Sequence, residues 1–180
     1  IAEALTGILT ASANDWKLSA GRLVQASIKF QLFTQLGREL QEYIKKGTIK
    51  EDYYATDINK ASLNELLKYI DSEVPDNERF KAMKSIFFSG ITSDADAQQE
   101  EVAYQFLLLC KKLNSMDILI LKTCYKIYLG EDLKNVNTGI NAFGDWVNTV
   151  SEKIGYGLPE LVSASDPRLV ELGLLSGRSY

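Results

Sequence analysis

The chain has 180 residues with a formal net charge of −4; 46% of them are hydrophobic and 24% charged, and it holds three prolines, two cysteines and no histidine. A chain of this size buries roughly two-thirds of its unfolded surface, enough for a core without disulfide or metal staples. Without histidine it lacks the side chain that most often serves as general base, proton shuttle or metal ligand near neutral pH, which removes most ordinary enzyme readings.

Ile1 to Thr10 has neither the basic leader nor the long apolar stretch of a secretory signal, so we read the chain as processed or trimmed. From Asp15 onward Trp16, Leu23, Val24, Ile28, Leu32, Phe33, Leu36, Leu40, Tyr43 and Ile44 recur at three- and four-residue steps. This spacing predicts one long helix to Lys46 with a single apolar face. Lys45 and Lys46 suit its negative end, and Gly47 suits a left-handed exit. Gly21 and Gly37 each cost about 1 kcal/mol against alanine inside a helix, so each marks a close contact or a break.

Thr48 to Asn59 reads as a polar surface connection carrying Tyr53 and Tyr54. Ser62 with Glu65 has the form of a capping box before Leu66, Leu67 and Ile70. Pro75 then starts a helix with the buried stripe Phe80, Met83, Phe87 and Phe88, and Gly90 stops it. Asp94 to Glu101 forms an acidic start to the next helix, with stripe Val102, Phe106, Leu109 and Leu113 and with Lys111 and Lys112 at its far end. Ser115 is placed to cap a helix running through Asp117, Ile118, Leu119, Leu121, Tyr125 and Tyr128, apolar nearly all round and therefore central.

A stretch of turn residues, Gly130 to Asn141, precedes a short amphipathic helix with Phe143, Trp146, Val147, Val150 and Ile154, ended by Gly155 and Gly157. No run alternates with period two between hairpin turns, and only a short strand at the very end is expected. The fold class is all-α, an irregular bundle of about seven to eight helices. Its organisation reads as a helical bundle over residues 1–114 with a region 115–180 packed on it, or as one domain over 1–180.

The last region is Leu158-Pro159-Glu160-Leu161-Val162, Pro167, then Leu169-Val170-Glu171-Leu172-Gly173-Leu174-Leu175 running into Ser176-Gly177-Arg178. A helix, a short helix, a glycine turn and a closing helix before an extended tail resembles the winged-helix, helix-turn-helix module. The resemblance implies a last helix that lies in the major groove and a following wing. Gly173 would be the left-handed residue and Leu174 the one that packs back on the preceding turn. Pro167 requires this helix to start near Asp166 or to split. Over the whole chain, the order of elements with Leu113 to Leu121 in the middle and Leu169 to Leu175 at the end is similar to uncharacterised bacterial helical proteins, including those grouped with abortive-infection phage defence. No catalytic residue carries over from that likeness.

Candidate chemistry is sparse. Cys110 and Cys124 sit in apolar runs, where a cysteine acts as a small hydrophobe, and neither has a histidine to activate it. Two cysteines fall short of a closed zinc site. Asp94, Asp96, Glu100 and Glu101 lack the glycine and terminal glutamate of a calcium loop and read as a solvated helix start. No metal or cofactor is expected. The longest apolar runs fall far short of the ~20 residues of a membrane-spanning helix, and the cytoplasm is the expected compartment.

Two readings follow. The first is a non-enzymatic protein, regulatory or in phage defence, that acts through contacts with a protein partner or a second copy, with Tyr53 and Tyr54 as exposed contact residues. The second is a nucleic-acid-binding regulator using Lys111, Lys112, Lys122, Lys126, Arg168 and Arg178. Charge weighs against the second: residues 131–180 hold seven acids and four bases, and phosphate contacts dominate nucleic-acid affinity.

Overall fold

In the computed structural model, residues 15–72, 75–129, 143–155 and 157–176 are described, the side chains of 15–23 and 143–145 excepted. The described residues form seven helices and no strand, an all-α multi-helix protein. They are α1 (Asp15–Lys45), α2 (Asp57–Asp71), α3 (Asn77–Gly90), α4 (Ala97–Cys110), α5 (Ser115–Tyr128), α6 (Phe143–Ile154) and α7 (Pro159–Glu171). One isolated antiparallel bridge joins Ile49 and Thr92. The chain divides into two compact units, Ile1–Lys112 and Leu113–Tyr180.

The first unit is built on α2, α3 and α4, which pack against one another, with α1 against α2. Leu66, Ile70, Phe80, Met83 and Leu107 are fully buried at its centre. Gly90 ends α3 by a close approach: a Cβ built there would stand 2.5 Å from the Cβ of Ala103 on α4. α1 runs alongside α3. Glu39 accepts a 2.6 Å bond from Lys84, Tyr43 meets Phe88 edge-on, and the Ser93 N–H donates to the Thr48 carbonyl, three contacts each 45 residues apart. Burial pushes the Glu39 carboxyl up, but the hydrogen bonds from Lys84 and Gln35 outweigh it and hold the group below its ordinary range. α1 leaves through Gly47 at φ 69°, with Thr48 N–H bonded to Tyr43 O and Gly47 N–H to Ile44 O, the paired bonds of a left-handed helix exit.

The second unit packs α5 and α6 against α7 and each other. Ile118, Ile120, Trp146, Val147, Val150, Val162 and Leu169 form its core. α7 ends as the glycine pattern predicts: Gly173 has φ 70°, and the Leu174 N–H reaches back to Leu169 O.

Several expectations change. α2 is capped by Thr56, whose hydroxyl accepts the Asn59 N–H, so the chain is helical from Asp57 and Ser62 is buried inside the helix. Asp76 rather than Pro75 caps α3, and Asn114 rather than Ser115 caps α5, in a reciprocal box with Asp117. Asx side chains compete well for exposed N–H groups at these positions. α7 runs unbroken through Pro167, an exposed residue. α1 is one long helix through Gly37, as its spacing predicts. α5 is buried only over its amino half, at Asp117, Ile118 and Ile120, whereas Tyr128 is 84% exposed. On α4 the buried stripe is Ala103, Leu107 and Cys110, one residue round from the expected one, because the contact with Gly90 admits only a small side chain. The expected terminal strand lies outside the described residues.

Replacing Gly90 with alanine forces that contact apart, and overpacking of this kind costs about 1–3 kcal/mol. Urea unfolding should show such a loss for Gly90→Ala and its partial recovery in Gly90→Ala with Ala103→Gly.

Candidate functional site

The one-residue rotation of α4 leaves Val102 and Phe106 facing outward, Phe106 at 50% exposure. With Ile86 and Ser89 of α3 and with Ala103 they line an open groove of about 570 Å³, closed at one end by Asp96, Gln98 and Gln99. The end of the groove is made rigid by the α4 cap: Asp96 accepts the Gln99 N–H at 2.8 Å, and the Gln99 side chain accepts the Asp96 N–H at 2.9 Å. Glu100 accepts from the Thr56 hydroxyl at 2.9 Å, which fixes the acidic start of α4 against the start of α2.

A second apolar surface lies on α1. Leu32 and Leu36 are buried, but Val24, Ile28, Phe30 and Phe33 flank them in solvent, with Phe30 62% exposed. The register with α3 accounts for Val24, Ile28 and Phe30, since an offset of 45 residues sets position 32 level with Asn77, where α3 begins. The turns of α1 before Lys29 therefore stand beyond α3. Lys29 anchors the last of them through Asp71, donating to its carbonyl at 2.7 Å and its carboxylate at 3.3 Å.

The residues singled out in the sequence are dispersed. Tyr53 and Tyr54 meet edge-to-face with centroids 5.3 Å apart. Tyr53 turns inward against Phe87, where burial raises its hydroxyl pKa, and Tyr54 alone is exposed, at 56%. Lys111 pairs with Glu65 of α2, and that bond, more than the opposing burial, holds the Glu65 carboxyl below its ordinary range. Lys112 follows it in the first unit, and Lys122 and Lys126 lie one turn apart on α5 in the second. Arg168 donates a 2.6 Å bond to Asp117, a carboxylate fully out of solvent that also holds the α5 cap. Arg178 lies outside the described residues.

The remaining chemistry is muted. Cys110 is buried, and loss of solvent, against the opposing pull of Arg79, pushes its thiol up to about 11, which leaves almost no thiolate at neutral pH. Among the described residues no three of the acids and cysteines converge to hold a metal ion, and no helix is long and apolar enough to cross a membrane. No family model, curated protein or solved structure matches the chain.

The position of Arg168 makes it a structural cation. Arg168→Met strands a buried carboxylate and should cost about 2–3 kcal/mol by urea unfolding, less than the ~3–5 of a fully buried pair because the Arg168 side chain stays 43% exposed. Unchanged stability would return Arg168 to the pool of free surface cations.

Proposed function

We propose that this protein works by contact with another protein chain and not by catalysis. The observation that carries the reading is the pair of apolar surfaces in the first unit: the α3–α4 groove with Val102 and Phe106, and the flank of α1 with Phe30 and Phe33. A monomeric protein rarely leaves contiguous large apolar groups in solvent, and aromatic anchors beside a groove are the usual hot spots of a helix-in-groove contact. Tyr54 adds an exposed aromatic at the start of α2, consistent with the contact role assigned to it.

The nucleic-acid alternative loses support in the same geometry. Lys111 and Arg168 are engaged by Glu65 and Asp117, and the acidic start of α4 borders the open groove. A phosphate backbone would meet like charge there.

Crosslinking the full chain in a concentrated lysate, followed by capture, tests the reading. Retention of a defined protein, or of the chain itself, should fall at least about tenfold when Phe30, Phe33 and Phe106 are each replaced by glutamate, as loss of a hot-spot cluster requires. Retention indifferent to those three changes, or salt-sensitive binding of random duplex by the native chain, would overturn it.

A further inference from the structure

We propose that the partner of the α3–α4 groove is α1 of a second copy of this chain, in a reciprocal pair where each copy gives its α1 and receives the other. The proposal rests on the protein-contact reading above and names its partner.

Three observations point to that occupant. The first is shape. Phe30 and Phe33 are three residues apart and Gly37 follows four later, so the three form one row along α1. Both phenylalanines are exposed, and a Cβ added at Gly37 would meet nothing within 4 Å. A helix-interior glycine is unfavourable against alanine, and among the described residues nothing approaches closely enough to require it. A row of two aromatic anchors and a bare backbone is the face that another element can approach closely. The groove has complementary chemistry, lined by the small Ser89 and Ala103 beside the apolar Val102 and Phe106.

The second is charge. From residue 16 to residue 38 the chain has four bases, Lys17, Arg22, Lys29 and Arg38, and no acid. From residue 94 to residue 101 it has four acids, Asp94, Asp96, Glu100 and Glu101, and no base. The acidic stretch lies at the end of the groove, and the basic stretch runs along the projecting helix. Opposite potentials of this kind steer association and fix its direction.

The third is reach. α1 spans 31 residues, about 46 Å, and its first half extends past the start of α3, so it projects as a donor element while the groove stays open as an acceptor. A two-fold pairing makes the contact twice, which brings a single helix-in-groove footprint toward the roughly 1,200–2,000 Å² of a specific interface.

Sedimentation velocity of the full chain at rising concentration, alone and as paired variants, tests this. The native chain should dimerise, and its dissociation constant should rise about fivefold or more between about 0.05 and 0.5 M salt as the exposed charges are screened. Phe30→Glu with Phe33→Glu removes the donor, and Phe106→Glu removes the acceptor; each alone should be monomeric. An equimolar mixture of the two should associate more than either variant alone but more weakly than the native chain, since it restores one of the two contacts. Val102→Asp serves as a second acceptor variant, and circular dichroism melts confirm that each variant is folded. Dimerisation that survives Phe106→Glu and Val102→Asp, or a mixture that associates no more than either variant alone at the highest concentration reached, would overturn the pairing. A native chain that is monomeric yet captures a different protein in a Phe30- and Phe33-dependent way would overturn the pairing and leave the protein-contact reading standing. A monomer that captures nothing would end both.

Discussion

The contact of Gly90 with Ala103 sets which face of α4 the solvent sees. Two helices approach this closely only where neither carries a large side chain, and the approach turns Ala103, Leu107 and Cys110 inward. Everything else about α4 follows from that rotation. Val102 and Phe106, the most hydrophobic pair on its outer side, have no place in the core and become the wall of a groove. The cap at Asp96 and the bond from Lys111 to Glu65 then hold both ends of the helix, so the groove has fixed sides.

α1 is constrained in a different way. Its carboxyl half is fastened along α3 by the Lys84–Glu39 pair, which is largely removed from water, and by Tyr43 against Phe88. Lys84 also lies 5.5 Å over the Phe80 ring, so the one buried cation of this face serves both an ion pair and the aromatic core. Buried pairs of this kind specify register more than they add stability. The register they impose carries the amino half of α1 beyond its neighbours, and the same residues that would complete an amphipathic face in a longer bundle are left in solvent.

Much of the fold was legible in the sequence because it depends on local chemistry. The left-handed glycines Gly47 and Gly173, the dipole-matched charges and the three- and four-residue spacing of Phe80, Met83 and Phe87 act within one or two turns. Capping residues were legible in kind but not in position: Thr56 caps α2 six residues before Ser62, Asp76 follows Pro75, and Asn114 caps in place of its neighbour Ser115. The candidate site was not legible. Whether Val102 or Ala103 faces inward is decided by Gly90, thirteen residues away and on another helix, and periodicity alone favours the larger residue. The exposure of Phe30 depends in the same way on where α3 begins. Gly37 did give a signal, a glycine inside a helix that no close neighbour among the described residues explains, and Phe30 lies outside the apolar stripe.

Hydrogen exchange of the native full chain, followed by mass spectrometry at low and high protein concentration, addresses the central claim most directly. Local protection reports which segments a contact holds closed. If α1 and the α3–α4 groove are each other's partners, peptides covering residues 24–38 and 96–106 slow together as concentration rises, and the rest of the first unit changes little. Protection that appears elsewhere, for example around Tyr125 and Tyr128 on α5, or no change with concentration in either segment, would contradict the account.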